Sequence, residues 1–356
     1  MKNKSKIVAA LLFATNLAFV SCDDWTDVES IDIKQPNIEE QNPELYTKYL
    51  ENLRQYKESE HKIVYVQFDN THKGYQSRAD HLTDLPDSID IISLVSPELI
   101  SDEVAEMKQI RRDKGTKVIY TISYTELETA YTAKYPDVDQ EDNKVVSEEG
   151  IDTSDNQFLS FANEYMDKTL EWCDQYEYDG ININYSPKNA AHMEGAEQIK
   201  ERNRQNTFMQ KILAWKDNHQ NSMLLFEGDL VFLADKTILK DCNYLVIDAS
   251  EVTTVEGLTS AVKMMIIEGI PVDRFIVCVP TFSLDSNDLE TGYFIDSKYD
   301  LISAIQATAY WILTPEQGLG KAGLGIYQVE NDYYNPAFIY PNVRNAINTM
   351  NPSPNN

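Results

Sequence analysis

The sequence predicts one (β/α)8 barrel that follows an export signal and a tether. Eight short runs rich in β-branched and aromatic residues recur along the chain, and helical stretches lie between most of them. Most of these runs are almost continuously apolar, which is typical of parallel strands whose outer face is covered. Eight such units close into a barrel. A doubly wound open sheet is the alternative, but V-Q-F-D-N-T-H-K, after the first run, lacks the glycine-rich phosphate turn of that fold.

The first residues predict a lipoprotein signal peptide over residues 1–21. Lys2, Lys4 and Lys6 form a positive segment, and the apolar run over 7–20 is too short to span a bilayer comfortably. The run ends at F-V-S-C, so we expect cleavage before Cys22 and lipidation of that cysteine. The alternative is an ordinary secretory signal followed by a chance cysteine.

Residues 22–42 are acidic, polar and poor in periodic apolar positions, which predicts a lipidated tether. Acidic residues directly after the cysteine resemble the surface-export signal of Bacteroidetes lipoproteins. That resemblance implies a lipid-anchored protein on the outer face of the outer membrane, touching the membrane only through its anchor. The barrel itself is predicted over residues 43–356.

Charge and cysteine usage limit the partners. The formal net charge is −27, and loss of the three signal-peptide lysines would make it −30. Nucleic acid and anionic membrane surfaces are therefore poor partners, whereas a neutral glycan meets no repulsion. Cys173, Cys242 and Cys278 lack the spacing of metal ligands, so we expect buried free thiols, no metal site and no cofactor.

The barrel elements follow in order. A first helix is expected from Pro43, with Asn42 as its cap. The predicted strands are 63–68, 89–95, 117–124, 180–185, 223–227, 244–248, 275–280 and 323–329. The predicted helices are 101–114, 156–175, 196–219, 255–268, 301–313 and 341–350, with a short, weakly helical connection over 235–240.

Ligands of such barrels bind at the C-terminal ends of the strands. Two connections there, 125–154 and 281–300, are predicted as long loops, and these loops and the segment after the last strand carry many of the aromatic residues. Aromatic rings suit the apolar faces of sugars. The alternative for any single tyrosine is packing against the barrel rim. The aromatic residues concerned are Tyr131, Tyr135, Phe282, Tyr293, Phe294, Tyr299, Tyr333 and Tyr334.

The fourth predicted strand carries the most specific signal, Y-D-G-I-N-I-N-Y-S over 178–186. It resembles the D-G-x-D-x-D-x-E signature of family 18 glycoside hydrolases, the chitinases and endo-β-N-acetylglucosaminidases. The last three acidic positions of that signature fall on Asn182, Asn184 and Ser186. Because residues two apart on a strand share a face, these three side chains should point into the barrel mouth.

The resemblance implies the barrel fold and a substrate-assisted mechanism. In the family the final Glu protonates the glycosidic oxygen, and the Asp two residues earlier orients the substrate's N-acetyl group. A serine hydroxyl cannot replace that acid, and loss of a general acid alone removes about 10²–10⁴ in rate. The family's paired glycines on the third strand are also absent, since T-I-S-Y stands there. We therefore assign no catalytic residue, and the sequence favours a protein without hydrolase activity over an active enzyme.

The combination resembles a Bacteroidetes family 18-like group encoded among glycan-uptake systems. It implies binding of N-acetylhexosamine-containing glycans of N-glycan type for a neighbouring outer-membrane importer. The predicted glycan-binding residues are Asn182, Asn184, Tyr185, Ser186, Glu227, Asp248, Tyr327 and Gln328.

Three alternatives remain open. The first is an active glycoside hydrolase whose carboxylates come from other strands, with Glu227 and Asp248 as the best pair. Other acids at strand ends are Asp69, Asp229, Glu330 and Asp332. The second is a structural component of an uptake complex. The third is that strand 4 is an ordinary core strand whose amides satisfy their neighbours.

Overall fold

A computed structural model describes residues 38–136 and 154–353. The chain divides into two units, residues 1–49 and residues 50–356. All barrel strands lie in the second unit. Within the described ranges, no helix has both the length and the apolar character needed to cross a bilayer. The predicted signal peptide, Cys22 and most of the tether lie outside the described residues.

Eight parallel strands form a closed barrel, as predicted. They are β1 (Ile63–Phe68), β2 (Ile91–Leu94), β3 (Lys117–Ser123), β4 (Gly180–Asn184), β5 (Met223–Glu227), β6 (Tyr244–Asp248), β7 (Phe275–Pro280) and β10 (Lys321–Tyr327). Each pairs with the next in that order, and β10 closes the ring onto β1. A two-stranded antiparallel sheet, β8 (Tyr293–Ile295) and β9 (Leu301–Ser303), lies between β7 and β10 in the chain.

The helices are α1 (Ile38–Gln41), α2 (Pro43–Glu58), α3 (Ser101–Lys114), α4 (Tyr124–Lys134), α5 (Ser154–Gln175), α6 (Gly195–Asn218), α7 (Val255–Met264), α8 (Ala304–Leu313) and α9 (Pro341–Met350). Their ends follow local chemistry. Gly115 ends α3 in the left-handed conformation at φ 69°, which costs a glycine little. The Thr254 hydroxyl accepts the Gly257 N–H at the start of α7.

Side chains divide by strand parity into two apolar layers. The larger one lies between the strands and the helices, and the smaller one fills the barrel interior around Tyr65, Leu225 and Val246. This alternation decides which strand-4 side chains face the interior.

Several predicted boundaries differ from the structure, and three of these differences have a clear local cause. The segment after β3 is not a loop from residue 125, because Ser123 caps α4 and Leu127 is fully buried in the outer layer. The helix predicted from 301 begins at Ala304, since residues 301–303 pair as β9. The helix predicted to reach 268 ends at Met264, before a turn that closes at Gly269 with φ 90°.

Candidate functional site at the barrel mouth

The barrel mouth, which is the C-terminal end of the strands, carries the strand-4 row in the predicted orientation. Asn182 is completely buried, Asn184 is partly exposed, and Ser186 is exposed just beyond the strand. The register sets Asn184 beside Glu227 of β5. The row therefore rises from the barrel interior to its surface.

Asn182, Asn184, Glu227 and Tyr327 form one hydrogen-bonded group, named here the amide–carboxylate cluster. Asn182 Nδ2 donates to Glu227 Oε2 over 2.6 Å. Asn184 Nδ2 and the Tyr327 hydroxyl both donate to Glu227 Oε1, over 3.0 and 2.9 Å. The two amides of the altered motif thus hold a carboxylate that comes from the next strand.

Glu227 is a buried carboxyl with a raised pKa. Its side chain is among the buried polar groups at 3% exposure, and burial is the main cause of the rise. Hydrogen bonds from Asn182, Tyr327 and Asn184 oppose the rise, while the charge of Asp248 adds to it. A carboxyl in this position anchors neighbouring side chains but presents almost no surface to a sugar.

Asp248 lies nearer the solvent. Its side chain is exposed, and Oδ1 accepts the Ser250 N–H over 2.9 Å. Within the described part of the chain, no hydrogen bond joins Asp248 to Glu227. The two predicted substitute carboxylates therefore influence each other electrostatically but differ strongly in access to solvent.

Tyr185 does not line the mouth. It is 1% exposed and packs in the outer apolar layer against Tyr124 and Phe208, with ring centroids 4.5 and 5.1 Å away. Its parity opposes that of Asn184, so its side chain turns towards the helices. The prediction that Tyr185 contacts a glycan is wrong for this arrangement.

Asn182 also differs from its predicted role. Being completely buried, it reaches no ligand in the mouth directly, and its Oδ1 has no hydrogen-bond partner. It lies beneath Asn184 and orients Glu227. The residues left to meet a ligand are Asn184, Ser186, Asp248, Tyr327 and Gln328, which are all partly or fully exposed.

The last barrel strand contributes two of these residues. Tyr327 is partly exposed and points its hydroxyl at Glu227. Gln328 follows in the left-handed conformation at φ 52°, and its carbonyl oxygen accepts the Thr281 hydroxyl over 2.7 Å. That contact fixes the backbone while the Gln328 side chain remains exposed.

Gly228 lets the ends of β4 and β5 approach closely. It has φ +121°, and a Cβ there would lie 2.3 Å from the Tyr185 carbonyl oxygen and 3.0 Å from Ser186 Oγ. Only a glycine fits without a backbone shift. The side chain of the exposed residue Ser186 therefore lies close to the end of β5.

A polar layer below the cluster was not predicted. Asn182 Nδ2 lies 3.3 Å from Thr121 Oγ1 and 3.4 Å from the Tyr65 hydroxyl, and Thr121 pairs with Ser93 over 3.0 Å. Each of these residues is a polar group within a largely apolar strand. Inward parity on three successive strands is the sequence signal that could have identified them.

The other strand-end acids have separate roles. Asp332 is buried and accepts the Val343 N–H and the Asn342 amide, which fixes the start of α9. Burial raises the pKa of Glu330 to about 7, and Asp69 accepts the Thr71 N–H in a local turn. None of them joins the amide–carboxylate cluster.

The aromatic residues of the loops differ in exposure, and Tyr135, Phe282 and Tyr333 are partly exposed. Tyr131 and Phe294 are buried and belong to the outer apolar layer, so packing accounts for them. Tyr299 is 89% exposed, and Tyr293 and Tyr334 are also exposed. In residues 38–136 and 154–353, no cluster of three His, Cys, Asp or Glu side chains could hold a metal ion.

The barrel with this strand-4 row defines a protein of the family 18 glycoside hydrolase class. The profile of glycoside hydrolase family 18, BT1044-like, matches residues 26–349, and the chain belongs to this family. A search of curated proteins gave no match.

Solved structures with the same fold share little sequence with this chain. A selenomethionine form of a BT1044 variant has a TM-score of 0.62 at 18% identity, covering 90% of this chain and 98% of its own. A mutant endo-β-N-acetylglucosaminidase from Cordyceps militaris, in complex with fucosyl-N-acetylglucosamine-Asn, has a TM-score of 0.56 at 16% identity, covering 85% and 95%. Human YKL-39, described as a pseudo-chitinase with retained chitooligosaccharide binding, has a TM-score of 0.51 at 11% identity, covering 82% and 99%.

Proposed function

We propose that this protein binds N-acetylglucosamine-containing glycans in the barrel mouth and does not hydrolyse them by the family 18 mechanism. The observation that carries the proposal is the strand-4 row, in which Asn182, Asn184 and Ser186 occupy the positions of the family's carboxylates. A row of neutral hydrogen-bonding groups can hold a sugar but supplies no proton donor there.

Asn184 is the residue we assign to the N-acetyl group. Its Nδ2 is engaged by Glu227, whereas its partly exposed Oδ1 accepts no hydrogen bond from the described residues. An acetamide N–H is a matching donor. Since the cluster fixes the Asn184 rotamer, the acceptor is oriented before the glycan arrives.

Hydrolysis through this row lacks its acid. The Ser186 hydroxyl holds its proton too tightly near neutral pH to protonate a glycosidic oxygen, and neutral Asn184 stabilises a developing positive charge less than a carboxylate does. Human YKL-39 gives a precedent for a pseudo-chitinase that retains sugar binding.

Calorimetry with an N-glycan that retains its chitobiose core tests the proposal. We expect saturable micromolar binding. Asn184→Ala should weaken it about tenfold, because it removes an oriented acceptor and with it one hydrogen bond to the glycan. Lys211→Gln, a change on α6 at a partly exposed residue that pairs with Asp167, is the matched control and should leave binding unaltered. Absence of binding across high-mannose, complex and chito-oligosaccharide ligands would overturn the proposal.

A second candidate function is hydrolysis with Glu227 as the acid. The raised pKa of Glu227 favours it, because a general acid must be protonated near neutral pH. Its 3% exposure opposes it. Release of free glycan from a glycoprotein, abolished by Glu227→Gln, would establish this activity.

We also propose that the protein is lipid-anchored at Cys22 on the outer membrane surface and delivers captured glycan to an importer. The signal-like residues 1–21 and the acidic segment 22–42 support this placement. Metabolic labelling with a fatty acid should modify the wild type but not Cys22→Ser, and surface proteolysis of whole cells should remove the protein. A mature protein that lacks lipid would refute the anchor.

A further inference from the structure

A cavity opens at the N-terminal end of the barrel, opposite the mouth. Its volume is about 460 Å³, and Ile63, Lys117, Met223 and Tyr244, the first residues of four barrel strands, contribute to its lining. That volume is within the range of about 300–1,000 Å³ found for small-molecule sites.

The lining is rich in cations although the chain is strongly acidic. Arg54, Lys57, Arg111 and Lys117 line the cavity, and the described part of its lining includes two acidic residues, Glu58 and Asp90. The whole chain has 31 Lys and Arg residues against 58 Asp and Glu residues. The net charge of the chain therefore repels anions, but the cations that line this cavity can attract them locally.

Two of these four cations share one carboxylate. Asp179 accepts from Arg111 Nε over 2.8 Å, and Lys117 Nζ lies 3.5 Å from the same carboxylate. Arg111 also donates to the Glu177 carbonyl oxygen over 2.6 Å. One carboxylate balances only one of the two positive charges, so Arg111, Lys117 and Asp179 together keep a net charge of about +1.

Arg54 and Lys57 have no such partner. Among the described residues, no carboxylate lies within 4 Å of either charged group. Arg54 Nη1 donates to the Asp113 carbonyl oxygen over 2.8 Å. Lys57 Nζ donates to the Ile89 carbonyl oxygen and to Thr116 Oγ1, both over 2.6 Å. All three acceptors are neutral.

Asp90, the buried carboxylate in the cavity lining, is already engaged. Its Oδ1 pairs with His61 Nε2 over 2.9 Å, and its Oδ2 accepts the Val64 N–H over 2.8 Å. Both of its oxygens therefore have other partners.

Burial is the main reason why the pKa of Lys57 is lowered to about 8. Asp90 and Asp87 oppose the change, and the nearby charge of Lys114 adds to it. An anion in the cavity would favour the charged ammonium.

The wall of the cavity formed by the barrel is apolar. Ile63, Met223 and Tyr244 pack against the inner apolar layer of the barrel and also line the cavity. The site thus combines an apolar wall with two unpaired cations, and this combination suits an anionic head group that carries a small apolar body.

We propose that this cavity binds a small phosphate monoester. A phosphate monoester carries about −1.5 to −2 charge at pH 7, which matches the two unpaired cations, and the planar Arg54 guanidinium suits its oxygens. The apolar body lies against Met223 and Tyr244. The site is separate from the glycan site and does not depend on the proposed function.

Calorimetry of the mature chain with phenyl phosphate at low ionic strength tests the assignment. We expect saturable binding, weaker binding of inorganic phosphate, and none of neutral phenyl β-glucoside. Arg54→Gln should weaken phenyl phosphate binding about tenfold or more, since it removes a charge-assisted contact. Lys211→Gln removes the same charge far from the cavity and should change binding less than twofold.

Lys117→Gln provides a second variant, because the Lys117 side chain is 56% exposed. The change also leaves in place the hydrogen bonds that Arg54 and Lys57 donate to neutral acceptors. It should weaken binding about threefold through the lost positive charge. Absence of phenyl phosphate binding at millimolar concentration, or unchanged affinity in both Arg54→Gln and Lys117→Gln, would overturn the proposal. Equal affinity for phenyl phosphate and inorganic phosphate would overturn the role of the apolar wall.

Discussion

Asn182→Asp is the most informative single change, because it restores one family carboxylate beside a buried one. Asn182 Nδ2 now donates to Glu227 Oε2 over 2.6 Å, and the two side chains are 0% and 3% exposed. The variant replaces this hydrogen bond by two carboxylates in contact. Two like charges 4 Å apart repel by about 4 kcal/mol at an effective dielectric constant of 20.

The pair avoids that repulsion by retaining a proton, and the cost then depends on pH. Holding the proton costs about 1.4 kcal/mol for each pH unit above the unfolded pKa of about 4, which gives about 4 kcal/mol at pH 7 and about 1 kcal/mol at pH 5. The folded pKa is raised, so the folded state binds more protons than the unfolded state. Stability must therefore fall as pH rises.

Urea unfolding of four proteins at both pH values measures this effect. The proteins are the wild type, Asn182→Asp, Glu227→Gln and the double variant. In the double variant the amide introduced at position 227 can donate to the new aspartate while its oxygen still accepts from Asn184 and Tyr327, so most of the stability should return. Equal destabilisation at pH 5 and pH 7, or a double variant no more stable than Asn182→Asp, would refute the reasoning.

Three further changes test other contacts. Gly228→Ala should lower the free energy of unfolding by about 2–3 kcal/mol, because its Cβ would lie 2.3 Å from a carbonyl oxygen at the end of β4; a loss below about 0.5 kcal/mol in urea unfolding would contradict this. Tyr327→Phe removes a donor to Glu227, so it should raise the pKa of Glu227 and cost about 1–3 kcal/mol at pH 7 and less at pH 4; equal losses at both pH values would argue against it. Asp90 raises the pKa of His61, whose contribution to stability is complete below pH 6.5 and is lost as pH rises through the raised value. Asp90→Asn should therefore destabilise more at pH 6 than at pH 9 in thermal unfolding, and the reverse order would show that His61 is not charged in the native state.

The sequence predicted the barrel well because each strand is a short apolar run with clear ends. Four predicted strands, including 63–68 and 275–280, match the structure at both ends. Helix α4 was missed because T-E-L-E-T-A-Y-T-A-K has a weak apolar stripe, and its stability comes from burial of Leu127 in the outer layer. Tertiary packing of this kind is not encoded in local periodicity.

The candidate site was predicted only in part. The alternation of side chains along a strand correctly predicted that Asn182 and Asn184 point into the barrel. The same rule would have predicted that the Tyr185 side chain points outward, towards the helices. Depth along the strand was not predictable, and depth separates buried Asn182 from exposed Ser186. The link from both amides to Glu227 depends on the β4–β5 register, which a single sequence does not specify.

The amide–carboxylate cluster links neutral side chains at the motif positions to a buried carboxyl on β5. Glu227 supplies the carboxyl group of the cluster, and three donors from two asparagines and a tyrosine surround it. Three carboxylates in a row would repel one another and this glutamate. Neutral residues at the motif positions are thus compatible with a buried acid on β5.

Calorimetric titration of the wild-type protein with a chitobiose-containing N-glycan, followed by mass spectrometry of the recovered sugar, is the most direct test of a mouth that holds glycan without cleaving it. We expect a saturable binding curve and a glycan of unchanged mass. A flat titration, or recovery of a glycan shortened at the chitobiose core, would contradict the function proposed for this barrel.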